Sequence, residues 1–315
     1  MIIVTGGAGF IGSNLIKGLN DKGITDILVV DNLSKSEKHL NLNSLRFNDF
    51  IAKEDFLPKL QSFKKIDAVF HQGACSNTTE TDGKYMMHNN YEYSKVLLNH
   101  SLNNRIDFIY ASSAAVYGNG DNGFCEKPES EYPLNVYAFS KLMFDNYVRN
   151  IFKKSTPKSQ VLGLRYFNVY GFQENHKGSM ASVAYHFFRQ MKEGSTVNLF
   201  EGSRDFLRDF IFVRDVVDVN LFFYEKKISG IYNCGTGAER SFYDIATVFK
   251  NFDQSINIQF IPFPEHLKGK YQSFTKADLS ELRKAGYQKE FKTLEQGLDQ
   301  YYKCLKETGG YIINQ

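Results

Sequence analysis

The stretch Met1–Gly12, MIIVTGGAGFIG, runs an apolar segment into glycines at positions 6, 7, 9 and 12. Glycines between a strand and a helix serve a tight turn, a close backbone approach to a phosphate, and close helix-to-strand packing. The helix expected next, in GFIGSNLIKGLNDKG, would offer free N–H groups and a positive dipole end to an anion. Glycine spacing alone is weak. Here a second apolar run, DILVVD, closes on Asp31 about 20 residues on, where a carboxylate can accept hydrogen bonds from an adenosine ribose. Gly6, Gly9, Gly12 and Asp31 are thus candidate dinucleotide contacts. Asp31 by itself favours NAD; Asn32, Lys35 and Lys38 share its loop, and a lysine there could neutralise the 2′-phosphate of NADP. Both nucleotides stay open on these residues.

Outward from this turn, short apolar runs alternate with segments of helical period: IIVT, DILVVD, DAVFHQGA, DFIYASS and VLGLRYFNVYG lie between YMMHNNYEYSKVLLNHSL, NVYAFSKLMFDNYVRNIF and similar stretches. Near-continuous apolar strands separated by helices imply an α/β fold, a doubly wound parallel sheet covered on both faces. That pattern holds for residues 1–170. From 171 to 315 the order is less regular and reads as a smaller α/β lobe, with about 209–235 returning to the first sheet.

The chain has 315 residues, more than one compact core usually takes, with 42% hydrophobic and 23% charged residues. A formal net charge of +3 is too small to argue for nucleic acid or an anionic membrane. Cys75, Cys125, Cys234 and Cys304 form no close pair, so neither a metal site nor a disulfide framework is signalled. No basic leader precedes the first strand and no apolar run reaches 18 residues. The expectation is a soluble cytoplasmic protein.

Tyr-x-x-x-Lys occurs three times, at Tyr91/Lys95, Tyr137/Lys141 and Tyr302/Lys306. Such a pair shares one helix face. A phenol has a pKa near 10, and a neighbouring ammonium lowers the cost of ionising it, so the pair can move a proton to or from a substrate hydroxyl. Only Tyr137/Lys141 begins a helix just after a strand and turn, YASSAAVYG, whose serines emerge at the carboxyl edge of the sheet. Ser113 could bond the same substrate oxygen as Tyr137. Lys177, in FQENHKGSMASV, reads on local grounds as a solvated loop charge.

TGGAGFIG, DNLS, YASSAAVYG, YAFSK and RYFNVYG together resemble the extended short-chain dehydrogenase/reductase family of nucleotide-sugar enzymes. HQGACSNTTETDGKYMMHNNYEYS, NHKGSMASV, LFEGS, RDF and KGKYQSFT resemble its branch that inverts C6 of ADP-linked heptoses. The resemblance implies a Rossmann domain with a smaller substrate lobe, tightly held NADP, and a homo-oligomer, often a pentamer. The implied reaction converts ADP-D-glycero-β-D-manno-heptose to the L-glycero epimer through a transient 6-ketone, for the heptose of lipopolysaccharide cores. It makes Tyr137 and Lys177 the two acid/bases and Lys141 the partner of the first. The implied cofactor contacts are Phe10, Ile11, Asp31, Asn32, Lys38, Lys53, Gln72, Gly73, Ala74, Cys75, Ser76, Asn89, Lys141 and Val169, with Lys177 beside them. Asn168, Ser179, His186, Phe200, Glu201, Gly202, Ser203, Arg208 and Tyr271 are the implied substrate contacts. Gln72 stands where the family usually has glutamate, His88 where it has an acidic residue, and Phe172 where it has a proline.

A second acid/base has a physical reason. If the ketone must turn to receive hydride on its other face, its oxygen moves, and a group with about 3 Å of hydrogen-bond reach cannot serve both poses. Burial or a nearby positive charge could bring a lysine's pKa toward neutrality for such work. Rival readings fare less well: a 4,6-dehydratase needs an acid and a base just after the active-site serine, where this chain has Ala114 and Ala115. A 4-epimerase using tyrosine alone would leave Lys177 idle. A silent dinucleotide-binding scaffold would have no use for Ser113, Tyr137 and Lys141 together.

Overall fold

The computed structural model describes residues 1–265 and 272–313, so Tyr271 and part of KGKYQSFT lie outside the described residues. The strands among them are β1 (Ile2–Thr5), β2 (Ile27–Asp31), β3 (Asp49–Ala52), β4 (Ala68–His71), β5 (Asp107–Ser113), β6 (Val161–Tyr166), β7 (Asn168–Tyr170), β8 (Thr196–Phe200), β9 (Leu207–Phe212), β10 (Gly230–Cys234), β11 (Glu239–Ser241) and β12 (Asn257–Ile261). Seven form one parallel sheet in the order β10-β6-β5-β4-β1-β2-β3. Strands β1, β2, β4 and β6 are buried along their whole length, which is why they read as continuous apolar runs. The protein is a Rossmann-type α/β fold.

From β1 the chain winds outward through β2 to β3 and then crosses back to β4 on the other side of β1. The carboxyl ends of β1 and β4 are therefore the topological switch point, where doubly wound sheets bind ligands. Backbone fills the seam: a Cβ on Gly6 would lie 2.6 Å from the Gly73 nitrogen.

After β6 the chain leaves for two small sheets, β11-β9-β7 and β12-β8, with a core that includes Phe187, Val197, Phe210, Ile245, Phe249, Leu298 and Tyr301. It then returns. Helix Val213–Lys226 packs on helix Phe10–Asp21, closely enough that a Cβ on Gly18 would meet Val217 at 2.4 Å, and β10 pairs with β6. The return begins at 213, since β9 belongs to a small sheet. Among the described residues no helix is long and apolar enough to cross a membrane.

Candidate active site

The glycine turn has little steric freedom. Gly6 has φ +67° and donates to the Val30 carbonyl at 2.7 Å, and a Cβ on Gly12 would sit 2.1 Å from the Gly6 carbonyl oxygen. Helix Phe10–Asp21 begins at Gly9 with neither a side-chain cap nor an acidic residue in its first turn, so its N–H groups and dipole face the cleft unopposed. This cradle, which a side chain would fill, fits a pyrophosphate. The cleft in front of it has a volume of about 680 Å³.

At the adenosine end, Asp31 accepts from the Ala8 N–H at 2.9 Å and the Asn32 N–H at 2.7 Å, and pairs with the Lys38 ammonium. Lys38 also donates to the Asn32 carbonyl at 2.9 Å. Lys35 donates to the His176 carbonyl at 3.1 Å, and Lys53 donates to Asn89. Three lysines thus line this end of the cleft, and the one carboxylate already has a cation.

At the other end, Ser113 closes β5, its hydroxyl accepting from the Ala115 N–H at 3.2 Å, and stands close enough to the Tyr137 phenol to favour its ionised form. Tyr137 lies in the first turn of helix Val136–Lys154, fixed by the Asn135 side chain accepting from the Ala138 N–H at 2.9 Å. The direction of the Tyr137 phenol differs from the simplest expectation for a tyrosine beside a lysine. Burial raises its pKa, and Ser113 only opposes this. Lys141 turns its ammonium to the Ala111 carbonyl at 2.8 Å; burial lowers its pKa to about 8 against the opposing charge of Asp145.

Asp145 anchors the helix from behind. Its carboxylate accepts from Tyr110 and Ser112 on β5, each at 2.9 Å, and from the Arg165 Nε on β6 at 2.9 Å. Arg165 is fully buried and also reaches Glu131 at 2.5 Å and the Tyr117 hydroxyl at 2.9 Å. These donors offset the cost of burying the carboxylate.

Lys177 sits in the short 3₁₀ turn Asn175–Met180 and reaches the same cleft as Tyr137, its Nζ 5.0 Å from the centre of the Phe10 ring. Burial lowers its pKa, opposed by Glu174. His176 beside it is pushed down to about 4 by burial, then by Lys38, Lys177 and Lys35.

The structure brings together along this one cleft Gly6, Gly9, Phe10, Ile11, Gly12, Asp31, Asn32, Lys38, Lys53, the run Gln72–Ser76, Asn89, Ser113, Tyr137, Lys141, Asn168, Val169 and Lys177. The other substrate candidates among the described residues are not in its lining. His186 faces the Ser179 carbonyl at 3.4 Å; Phe200–Ser203 form the end of β8 and its exit turn; Arg208 is buried on β9, its guanidinium 5.6 Å from the Phe242 ring. His71 is a buried structural histidine, held by Thr5 at 2.6 Å and Ser94 at 2.8 Å and driven down to about 3 by burial. Tyr91/Lys95 and Tyr302/Lys306 are cation–ring pairs outside the cleft. His176, Gln272 and Thr275 also line the cleft; in the sequence His176 is marked only by its place beside Lys177, and Gln272 and Thr275 only by lying within KGKYQSFT.

A sheet wound in this order, with its glycine turn at the switch point, is the frame of dinucleotide-binding proteins. The chain is a member of the NAD dependent epimerase/dehydratase family, which it matches over residues 2–235. Its particular likeness is narrower. ADP-L-glycero-D-manno-heptose-6-epimerase of Brachyspira hyodysenteriae is 59% identical to it over 318 residues, covering 99% of this chain and 100% of that protein. The crystal structure of the Helicobacter pylori ADP-L-glycero-D-manno-heptose-6-epimerase matches with a TM-score of 0.84 at 29% identity, over 97% of this chain and 96% of that one. UDP-glucose 4-epimerase of Thermotoga maritima, solved with UDP-glucose, matches with a TM-score of 0.82 at 28% identity, over 98% of this chain and 99% of that one.

Proposed function

We propose that this protein inverts C6 of ADP-D-glycero-β-D-manno-heptose to give the L-glycero epimer through a transient 6-ketone. The observation that carries the reading is that Lys177 and Tyr137, from different parts of the chain, line one cleft. The 59% likeness to the Brachyspira enzyme supports the same substrate. When bound, the dinucleotide supplies the hydride acceptor and donor at its nicotinamide ring.

The residues divide the remaining work. In one pose Tyr137 takes the proton of the C6 hydroxyl as the C6–H bond breaks, with Ser113 bonded to the same oxygen and the Lys141 ammonium one helical turn behind. After the ketone turns, Lys177 gives the oxygen its proton on the opposite face. A lysine lowered by burial is suited to that exchange. The pairing of Lys38 with Asp31, and Lys35 close by, supports NADP, because a 2′-phosphate would meet cations where an NAD site presents a bare carboxylate.

The reading assigns residues 1–170, with the returning segment 213–234, to the cofactor lobe, and the rest to the substrate lobe. Asn168 at the edge of the cofactor lobe, with Ser179, His186, Phe200–Ser203 and Arg208 of the substrate lobe, holds the ADP-sugar, the Arg208 fork on a pyrophosphate oxygen. It also carries a cytoplasmic homo-oligomer, with five subunits as the number for light scattering to check.

The test is to incubate the purified protein with ADP-D-glycero-β-D-manno-heptose and follow the C6 configuration by NMR. Inversion is expected; none with cofactor bound overturns the assignment. Nucleotide released on denaturation should be NADP, and NAD in its place removes the role given to Lys38.

A further inference from the structure

Glu174 is completely buried, three residues from Lys177, and belongs to neither the cofactor cradle nor the Ser113–Tyr137–Lys141 group. Four donors converge on its carboxylate. The Gly171 N–H reaches Oε1 at 3.3 Å, the Ser182 hydroxyl Oε1 at 2.7 Å, the Tyr301 hydroxyl Oε1 at 2.9 Å and the Ser182 N–H Oε2 at 2.5 Å. Gly171 and Ser182 are the two ends of the loop that carries Lys177, and Tyr301 stands on the C-terminal helix Leu294–Thr308. One side chain thus ties both ends of the loop to each other and to a separate helix.

The chemistry of the position is selective. Each carboxylate oxygen faces a backbone N–H, Gly171 at Oε1 and Ser182 at Oε2, and an N–H can only donate. Glutamine has the same shape but one accepting oxygen, so in either orientation its NH2 would face one of those N–H groups. The loop's own backbone is poorly suited to holding a side chain still: its 3₁₀ turn is interrupted at Gly178, where φ is +57°, and Gln173 has φ +70°. Elsewhere the segment is held by the Gln173 N–H to the Gly310 carbonyl at 2.8 Å, the Lys177 N–H to the Glu174 carbonyl at 3.0 Å, and the side chains of Asn14, Asn41 and Lys35, which donate to the Phe172, Gln173 and His176 carbonyls at 2.9, 3.1 and 3.1 Å. None of these joins the loop's two ends.

We infer that Glu174 is the positioning residue for Lys177, closing the loop so that the lysine ammonium meets the ketone oxygen in one of the two poses. This rests on the reading of Lys177 as the second acid/base. It acts through Lys177 and touches no reacting atom, so its removal should injure one half of the reaction and spare the other.

The measurement is the rate at which each C6 epimer, mixed separately with cofactor-loaded enzyme, produces the absorbance of reduced nicotinamide. In Glu174→Gln one epimer should react about 100-fold slower, the loss expected from a misplacement of about 1 Å, while the other stays within about twofold. Tyr301→Phe removes one donor and keeps the carboxylate, so it should show the same one-sided loss at smaller size; it decides the matter if Glu174→Gln does not fold. Equal slowing with both epimers, or no slowing, overturns the inference. Lys177→Met runs alongside. If it is one-sided and the Glu174 and Tyr301 variants are not, the inference alone falls; if it slows neither epimer, the reading of Lys177 falls and takes the inference with it.

Discussion

The two proposed acid/bases are mounted differently. Tyr137 stands in the first turn of a 19-residue helix, beside the end of a central strand, with the buried Asp145–Arg165–Glu131 network locking helix to sheet behind it. Lys177 stands on a six-residue turn with a kink inside it, in a loop whose two ends are joined by one carboxylate. Regular structure places the first, and side chains reaching in from other elements place the second. A site that must serve two orientations of one substrate has a use for both kinds of mounting: one reference point that does not move, and one that can be set independently of the sheet.

The sharpest way to break this contrast is Tyr137→Phe, which removes the proton carrier and leaves its mounting. Turnover should fall about 1,000-fold or more, with the bound nucleotide retained, as measured by NMR turnover and nucleotide release. A loss under tenfold would mean that Tyr137 is packing. Next comes the mounting itself. Asp145→Asn leaves Arg165 buried with a weakened partner and should cost about 3 kcal/mol of stability in denaturant unfolding. The same variant sharpens the comparison through pH. The Lys141 pKa is lowered to about 8 by burial and supported by Asp145, so its charge, and the turnover that depends on it, should fade as pH rises through about 8. Without the Asp145 charge the ammonium is less favoured, so that alkaline limb should move to lower pH, whereas the corresponding Glu174 variant should leave it in place. A limb that does not move would separate Asp145 from Lys141. The smallest effect is expected from Phe172→Leu, which trims an aromatic anchor of the Lys177 loop. About 1 kcal/mol of stability should be lost, with turnover reduced only severalfold.

Phe172 shows what the sequence could and could not convey. In place of the family's proline it looked like an unexplained departure, yet it is buried edge-on to Phe212 and Tyr301 at 5.3 and 6.1 Å, with the Arg214 guanidinium 4.8 Å from its ring. Its carbonyl takes the Asn14 side-chain amide at 2.9 Å, which ties the loop to the first helix. A proline would fix the loop through its own φ; the phenylalanine ring fixes it through partners from 40 to 129 positions away, and no local pattern announces those. Glu174 was hidden for the same reason, since an acidic residue in a polar loop looks solvated until its donors arrive. The large sheet was legible because strands buried on both faces write their position as apolar runs, and Gly6, Gly12 and Asp31 because their spacing carries a geometry. Strands β3 and β12 carried no such signal. Each lies at the edge of its sheet with no fully buried residue, so tertiary pairing more than composition makes it a strand.

The return of β10 to the large sheet has a consequence for how this gene can be cut. A fragment ending after β7 would contain the glycine turn, Asp31, Ser113, Tyr137 and Lys141, and would look like a self-sufficient half. It would also leave β6, buried at every position in the whole protein, as a bare outer strand with unpaired backbone groups and an uncovered apolar face. Such a half should self-associate through that strand. The proposed division of work between the two lobes is therefore not a division of the chain into two separable pieces.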